Sequence, residues 1–220
     1  MKKQYAWKVL KKGMVSDSRN NCKWIKGQWK THKKDLELCR KGFHASESLF
    51  DAINYVTPGI ICLVEYDGKT IKSNDQFVCE RMRVIKTFKF TKRNAVEWSI
   101  YCAKLCLKNF EKKFPKDKRP RLAIKAAEAW LKNPTKKNKS AAESAAESAR
   151  FAAGAAKFAA ESARSAEFAA RSVGFAAWSA RFAAWSARFA AWSARFAAGA
   201  VESATKKKMS NKLMKIIGYK

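Results

Sequence analysis

Acidic residues are scarce in this 220-residue chain: 18 Asp and Glu stand against 47 Lys and Arg, for a formal charge of +29. A surface of that sign repels cationic partners and draws in nucleic acid, an anionic membrane or an acidic protein surface. Long apolar runs are also missing. Arg, Ser or Glu interrupts even the alanine-rich stretches every few positions, far short of the roughly 18 consecutive apolar residues of a membrane span. The segment MKKQYAWKVLKKG opens positively but has neither the apolar core nor the small-residue cleavage site of a secretory signal, so the cytoplasm is the expected compartment. Histidine occurs only as His32 and His44, and no Cys-x-x-Cys pair is present. Without a signal, Cys22, Cys39, Cys62, Cys79, Cys102 and Cys106 are expected to be reduced and mostly buried thiols, not a disulfide framework.

Against these shortages stands a hydrophobic content of 47%, enough for at least one core. The basic charge is uneven. Residues 1–138 carry 33 basic and 13 acidic side chains, residues 139–205 carry 8 and 5, and residues 206–220 carry six lysines.

Residues 4–92 alternate short apolar runs with turn signals: QYAWKVL, CKWIKGQWK, GFHAS, then GIICLVEY closed by DGK, then RMRVIKTFKF. One short helix is expected in SESLFDAINYV, capped by Ser46, with Leu49, Ile53 and Tyr55 on its apolar face. From Asn94 the period becomes helical, with Val96, Ile100, Leu105 and Phe110 read as one face, and Pro115 and Pro120 break the run. RLAIKAAEAWLK reads as a second helix and NPTKKNK as a polar connection.

Beyond it alanine makes the chain strongly helical. The repeat settles into FAAWSAR with a step of seven, the spacing of a coiled-coil seam. Phe175, Phe182, Phe189 and Phe196 share one seam position, and Trp178, Trp185 and Trp192 share the other. Arg181, Arg188 and Arg195 form a basic ladder beside it. An unpaired helix from Ser140 to Ala204 would be roughly 100 Å long with its aromatic stripe exposed, so a fold-back is expected, with Gly174 the preferred bend. The seam closes within one chain or between two copies.

The candidate polyanion-binding set is Lys8, Lys11, Lys12, Lys23, Trp24, Lys26, Trp29, Lys30, Lys33 and Lys34, basic side chains interleaved with aromatics. The other reading of that set is plain solvation by a lysine-rich composition. Cys22, His32, Cys39 and His44 carry zinc-type donors, but their spacing is too loose for a structural zinc site. Cys102 and Cys106, one helical turn apart, read as small core residues. The Phe/Trp stripe reads as core and, alternatively, as a stacking platform for bases.

The stretch WSIYCAKLCLKNFEKKFPKDKRPRLAIKAAEAW resembles the immunity-protein domain of bacterial polymorphic-toxin systems. The residues that carry the likeness are Phe110, Glu111, Phe114, Pro115, Asp117, Arg119, Pro120, Arg121, Ala123, Ile124, Ala126, Ala127 and Trp130. Phe114 stands where that pattern has Tyr, and the His and Asp common in the family's alanine-rich helices are replaced by Phe, Trp, Ser and Arg. Residues 38–90 resemble an uncharacterised domain of phage and prophage proteins. Together these likenesses imply an accessory protein of phage or mobile-element origin, acting in immunity or counter-defence and neutralising a toxin or defence effector. GFHASESLFDAINY is also similar to the nucleotide-binding half of ADP-ribosyltransferases, which implies a partner or nucleotide pocket at His44 and Tyr55, although no catalytic glutamate can be assigned.

The expected architecture is an α+β N-terminal domain followed by an all-α, alanine-rich helical bundle or hairpin. The expected divisions are a basic recognition domain at 1–92, an immunity-like helical domain at 93–205 and a basic tail at 206–220. No catalytic residue, metal or cofactor is expected. The expected function is non-catalytic binding of an acidic protein or, alternatively, of nucleic acid.

Overall fold

Strand-forming runs rich in Val, Ile and aromatic residues at both ends of the first ninety residues pair into one antiparallel sheet. The computed structural model describes residues 3–16, 21–55, 59–155, 166–171, 185, 189 and 201–219. The chain divides into two compact units, Met1–Phe90 and Thr91–Lys220.

In the first unit, strand β1 (Gln4–Leu10) pairs with β4 (Ile60–Lys72), and β4 pairs with β5 (Phe77–Lys89). The two-residue β2 (Lys30–Thr31) and β3 (Phe43–Ala45) pair with separate stretches of β5. One face of the sheet buries Ala6, Leu10, Cys62, Val64, Tyr66, Phe77, Cys79, Met82 and Val84 beneath Trp24. Helix α1 (Leu49–Tyr55) packs against β1 and buries Leu49, Phe50 and Ile53.

Two details differ from the expectation. The DGK segment does not close β4: Gly68, at φ +79°, sits in a bulge where a Cβ would meet Glu80 Oε2 at 2.8 Å, and the strand runs on to a turn at Ser73–Gln76. Ser46 does not cap α1. Its backbone exchanges hydrogen bonds with Trp7 at 2.8 and 2.9 Å, and the Ser48 carbonyl accepts the first helical bond, from Ala52.

The second unit begins with α2 (Lys92–Lys113). Thr91 caps it by accepting from the Asn94 backbone, while the Asn94 side chain accepts from the Thr91 backbone. Helices α3 (Arg119–Lys132) and α4 (Lys136–Ala155) follow. Val96, Ile100, Ala103 and Leu107 recur at helical spacing and pack on Ala123, Ile124 and Ala127 of α3, on Ala142, Ala146 and Ala149 of α4, and on Ala166, Ala169 and Ala170 of the helical residues 166–171. Leu105, expected on this face, is exposed. Five residues after Ile100, it is turned about 140° away.

The connection before α4 is shorter than expected. Thr135 Oγ1 accepts from the Asn138 backbone at 3.1 Å and lets the helix begin inside the NPTKKNK segment.

The segment read as a basic tail is instead mostly helix. Residues 206–216 continue α5 (Val201–Ile216), which buries Met209 and Leu213. Trp98 Nε1 donates to the Met209 carbonyl at 3.1 Å, Asn94 Nδ2 donates to the Ile216 carbonyl at 3.3 Å, and Lys212 bonds Glu97 at 2.8 Å. Three consecutive lysines, Lys206 to Lys208, mask this amphipathic spacing in the sequence.

Of the Phe/Trp seam, Trp185 and Phe189 lie among the described residues. Trp185 packs edge-on to Phe168 at 5.0 Å and Phe189 stacks on it at 5.4 Å, within one chain. Phe175, Trp178, Phe182, Trp192, Phe196, the ladder Arg181, Arg188 and Arg195, and the bend at Gly174 lie outside the described residues. No helix among the described residues is long and apolar enough to cross a membrane.

Candidate functional site

Strand alternation turns Lys8 to the same side of β1 as Ala6 and Leu10, toward the core and not toward a surface partner. The residue is half-buried, and its ammonium donates to the His44 carbonyl at 2.6 Å and lies 5.3 Å from the Trp24 ring centre. Burial pushes its pKa from 10.5 down to about 8, and only in part do the neighbouring Cys79, Cys62 and Cys22 thiols oppose that shift. Burial likewise pushes the Cys62 and Cys79 thiols up to about 12, so they stay protonated and inert.

Trp24, expected to meet a polyanion, is 2% exposed and bonded to Ser16 Oγ at 2.7 Å. It serves as the lid of the core and cannot stack on a base.

Lys11, Lys12, Lys23, Lys26, Lys33 and Lys34 are exposed, and Lys30 is half-buried with its ammonium 5.8 Å from Trp24. Trp29 carries two guanidiniums over its ring, Arg81 at 4.8 Å and Arg83 at 4.7 Å. Arg81 also pairs with Asp67, and Arg83 donates twice to Glu65. Much of the positive charge around Trp29 is thereby neutralised within the fold.

His44 sits on β3, behind Gly42 at φ +103°, where a Cβ would come within 2.5 Å of Val78 Cγ2. Its Nε2 accepts the Cys39 backbone N–H at 2.8 Å, so the neutral ring carries its proton on Nδ1. Burial first, and the Lys8 ammonium second, hold the His44 pKa below 6.5. Nε2 is therefore already engaged by backbone. Tyr55 ends α1, and its side chain lies outside the described residues. Among the described residues no three or more His, Cys, Asp or Glu side chains gather as a metal-binding group. Cys39 Sγ takes a hydrogen bond from Gln76, while Cys102 and Cys106 are buried on α2.

In the second unit, a groove of about 600 Å³ opens where α2, α3 and α5 meet. Ile100, Ala129 and Leu131 supply its apolar surface, while Tyr101, Lys104, Lys125, Lys132, Lys212, Glu97 and Glu128 supply its polar one. Lys104 pairs with Glu128, and Lys212 pairs with Glu97 while lying 6.0 Å from the Tyr101 ring centre. Lys125 and Lys132 are exposed and have no ion-pair partner among the described residues. Of these residues the sequence singled out only Ile100, as a position on the apolar helix face. The available signal was the seven-residue step from Lys125 to Lys132, which puts both on one face of α3.

The motif linking the end of α2 to the start of α3 proves architectural. Arg121 donates to both oxygens of Glu111 at 2.6 Å, Arg119 clasps Asp117, and Pro120 lies in the first turn of α3. Trp130 receives the Lys92 ammonium over its ring at 4.8 Å.

Residues 86–217 match the family model described as "Imm-5 like putative immunity protein", and residues 4–93 match a domain of unknown function, DUF7666. No curated protein and no solved structure matches the chain.

Proposed function

The chain belongs to the Imm-5 like family of immunity proteins, and on that premise we propose that it neutralises a toxin by binding it, without catalysis, through its basic surface. The observation that carries this reading is the family match over the helical unit, together with exposed lysines that outnumber the carboxylates able to pair with them. Such a surface accelerates encounter with an acidic partner and fixes its orientation more than it adds affinity. A phage or mobile-element source and a role in counter-defence belong to the same reading. The test is co-expression in bacteria with a toxin from a polymorphic-toxin system. Colony formation restored by the chain supports the reading, and unrelieved toxicity across a panel of such toxins overturns it.

The exposed lysines of the first unit favour a second reading, sequence-independent nucleic-acid binding. Capture of single- or double-stranded DNA or RNA would then weaken steeply with salt. Replacing Lys23, Lys26 and Lys30 together by alanine should lower the log–log salt slope for duplex DNA by roughly 3, near one unit per lost phosphate contact. An unchanged slope removes those lysines from any such interface.

A further inference from the structure

We propose that the groove between α2, α3 and α5 seats an acidic segment of the partner protein, with two carboxylates on Lys125 and Lys132 and an apolar side chain between them. This rests on the reading of the chain as a protein-neutralising binder. The two lysines, seven residues apart on α3, stand about 10.5 Å apart along the helix axis. Carboxylates three residues apart on a segment in the polyproline II conformation share one face and are separated by about 9 Å, so one short segment meets both. Ile100, Ala129 and Leu131 give the intervening side chain an apolar seat, and Tyr101 offers an amphipathic wall.

The charges select a peptide over a nucleic acid. Lys104 and Lys212 are already engaged by Glu128 and Glu97, so two cations are in surplus and not four. Those two carboxylates would repel a continuous phosphate backbone, whereas they can accept hydrogen bonds from peptide N–H groups. A volume of about 600 Å³ lies within the range of sites that enclose a small ligand or a few side chains.

The experiment uses the full chain and a fluorescein-labelled peptide with glutamate at every third position and leucines between, against the same peptide with glutamine for glutamate. Anisotropy should report saturable binding of the glutamate peptide only. Lys125→Glu with Lys132→Glu should weaken it about tenfold or more, while Lys136→Glu with Lys137→Glu, the same charge change on α4, should leave it within about twofold. Lys125→Ala with Lys132→Ala repeats the test without added acid, and thermal melts establish that each variant is folded.

Equal losses from the groove and α4 pairs, absence of saturable binding, or displacement by single-stranded RNA with the same sensitivity to Lys125 and Lys132 overturns the groove. The immunity reading fails separately. Peptide binding as expected in a chain that does not protect cells sustains the groove and removes that reading, and protection without peptide binding does the reverse.

Discussion

Lys8 holds an ammonium under Trp24 at a desolvation cost that the His44 carbonyl and the indole face offset in part. With a folded pKa of about 8 against 10.5 unfolded, the native state binds fewer protons than the unfolded state between those values. Stability from this group therefore rises with pH across that window and is lowest below about pH 8. Lys8→Met should stabilise the protein by about 1 kcal/mol at pH 7 and flatten the rise between pH 8 and 10. Urea unfolding at the two ends of the window reads both effects. A loss of stability at pH 7 would mean that the carbonyl and indole contacts outweigh desolvation. The side of β1 that Lys8 occupies follows from its alternation with Ala6 and Leu10, but the sequence does not state which side Trp24 closes over. Read as one basic–aromatic cluster, the ten residues divide: Lys8 and Trp24 go to the core, and the exposed lysines to the surface.

Among the helices, α2 is clasped twice, by its capping box and by α5. Thr91→Ala removes a side-chain acceptor at the helix start and should cost about 1 kcal/mol. Leu213→Ala empties a fully buried site and should cost about 2–5 kcal/mol. Denaturant midpoints of the two variants check that order, and a Leu213 effect no larger than that of Thr91 would mean α5 contributes little to the core. Helices α2 and α3 were legible because Pro115 and Pro120 punctuate them and their apolar residues recur at helical spacing. Helix α5 was not, because Met209 and Leu213 are too few to stand out among its five lysines. The groove was illegible for a related reason: its walls come from three helices whose meeting is not encoded in any local pattern.

Over the whole molecule, +29 charges repel one another in the folded state. Raising sodium chloride from about 20 to 300 mM shortens the screening length several-fold, so the melting temperature should rise. A fall would show that its ion pairs, such as Arg121 with Glu111, outweigh the repulsion. The partition into a sheet-bearing part and a helical part could be read from the change in period near Asn94. The order β1-β4-β5-β2 could not, since it depends on pairings between distant segments.

The bond from Trp98 to the Met209 carbonyl joins residues 111 positions apart. Translation at about 5–20 residues per second means that Trp98 waits roughly 5 to 20 seconds for its cover to be made. Through that interval the indole N–H of the nascent α2 lacks its Met209 acceptor, so the late arrival of α5 sets when, in the life of a newly made copy, this bond closes and Lys212 takes its place beside Glu97.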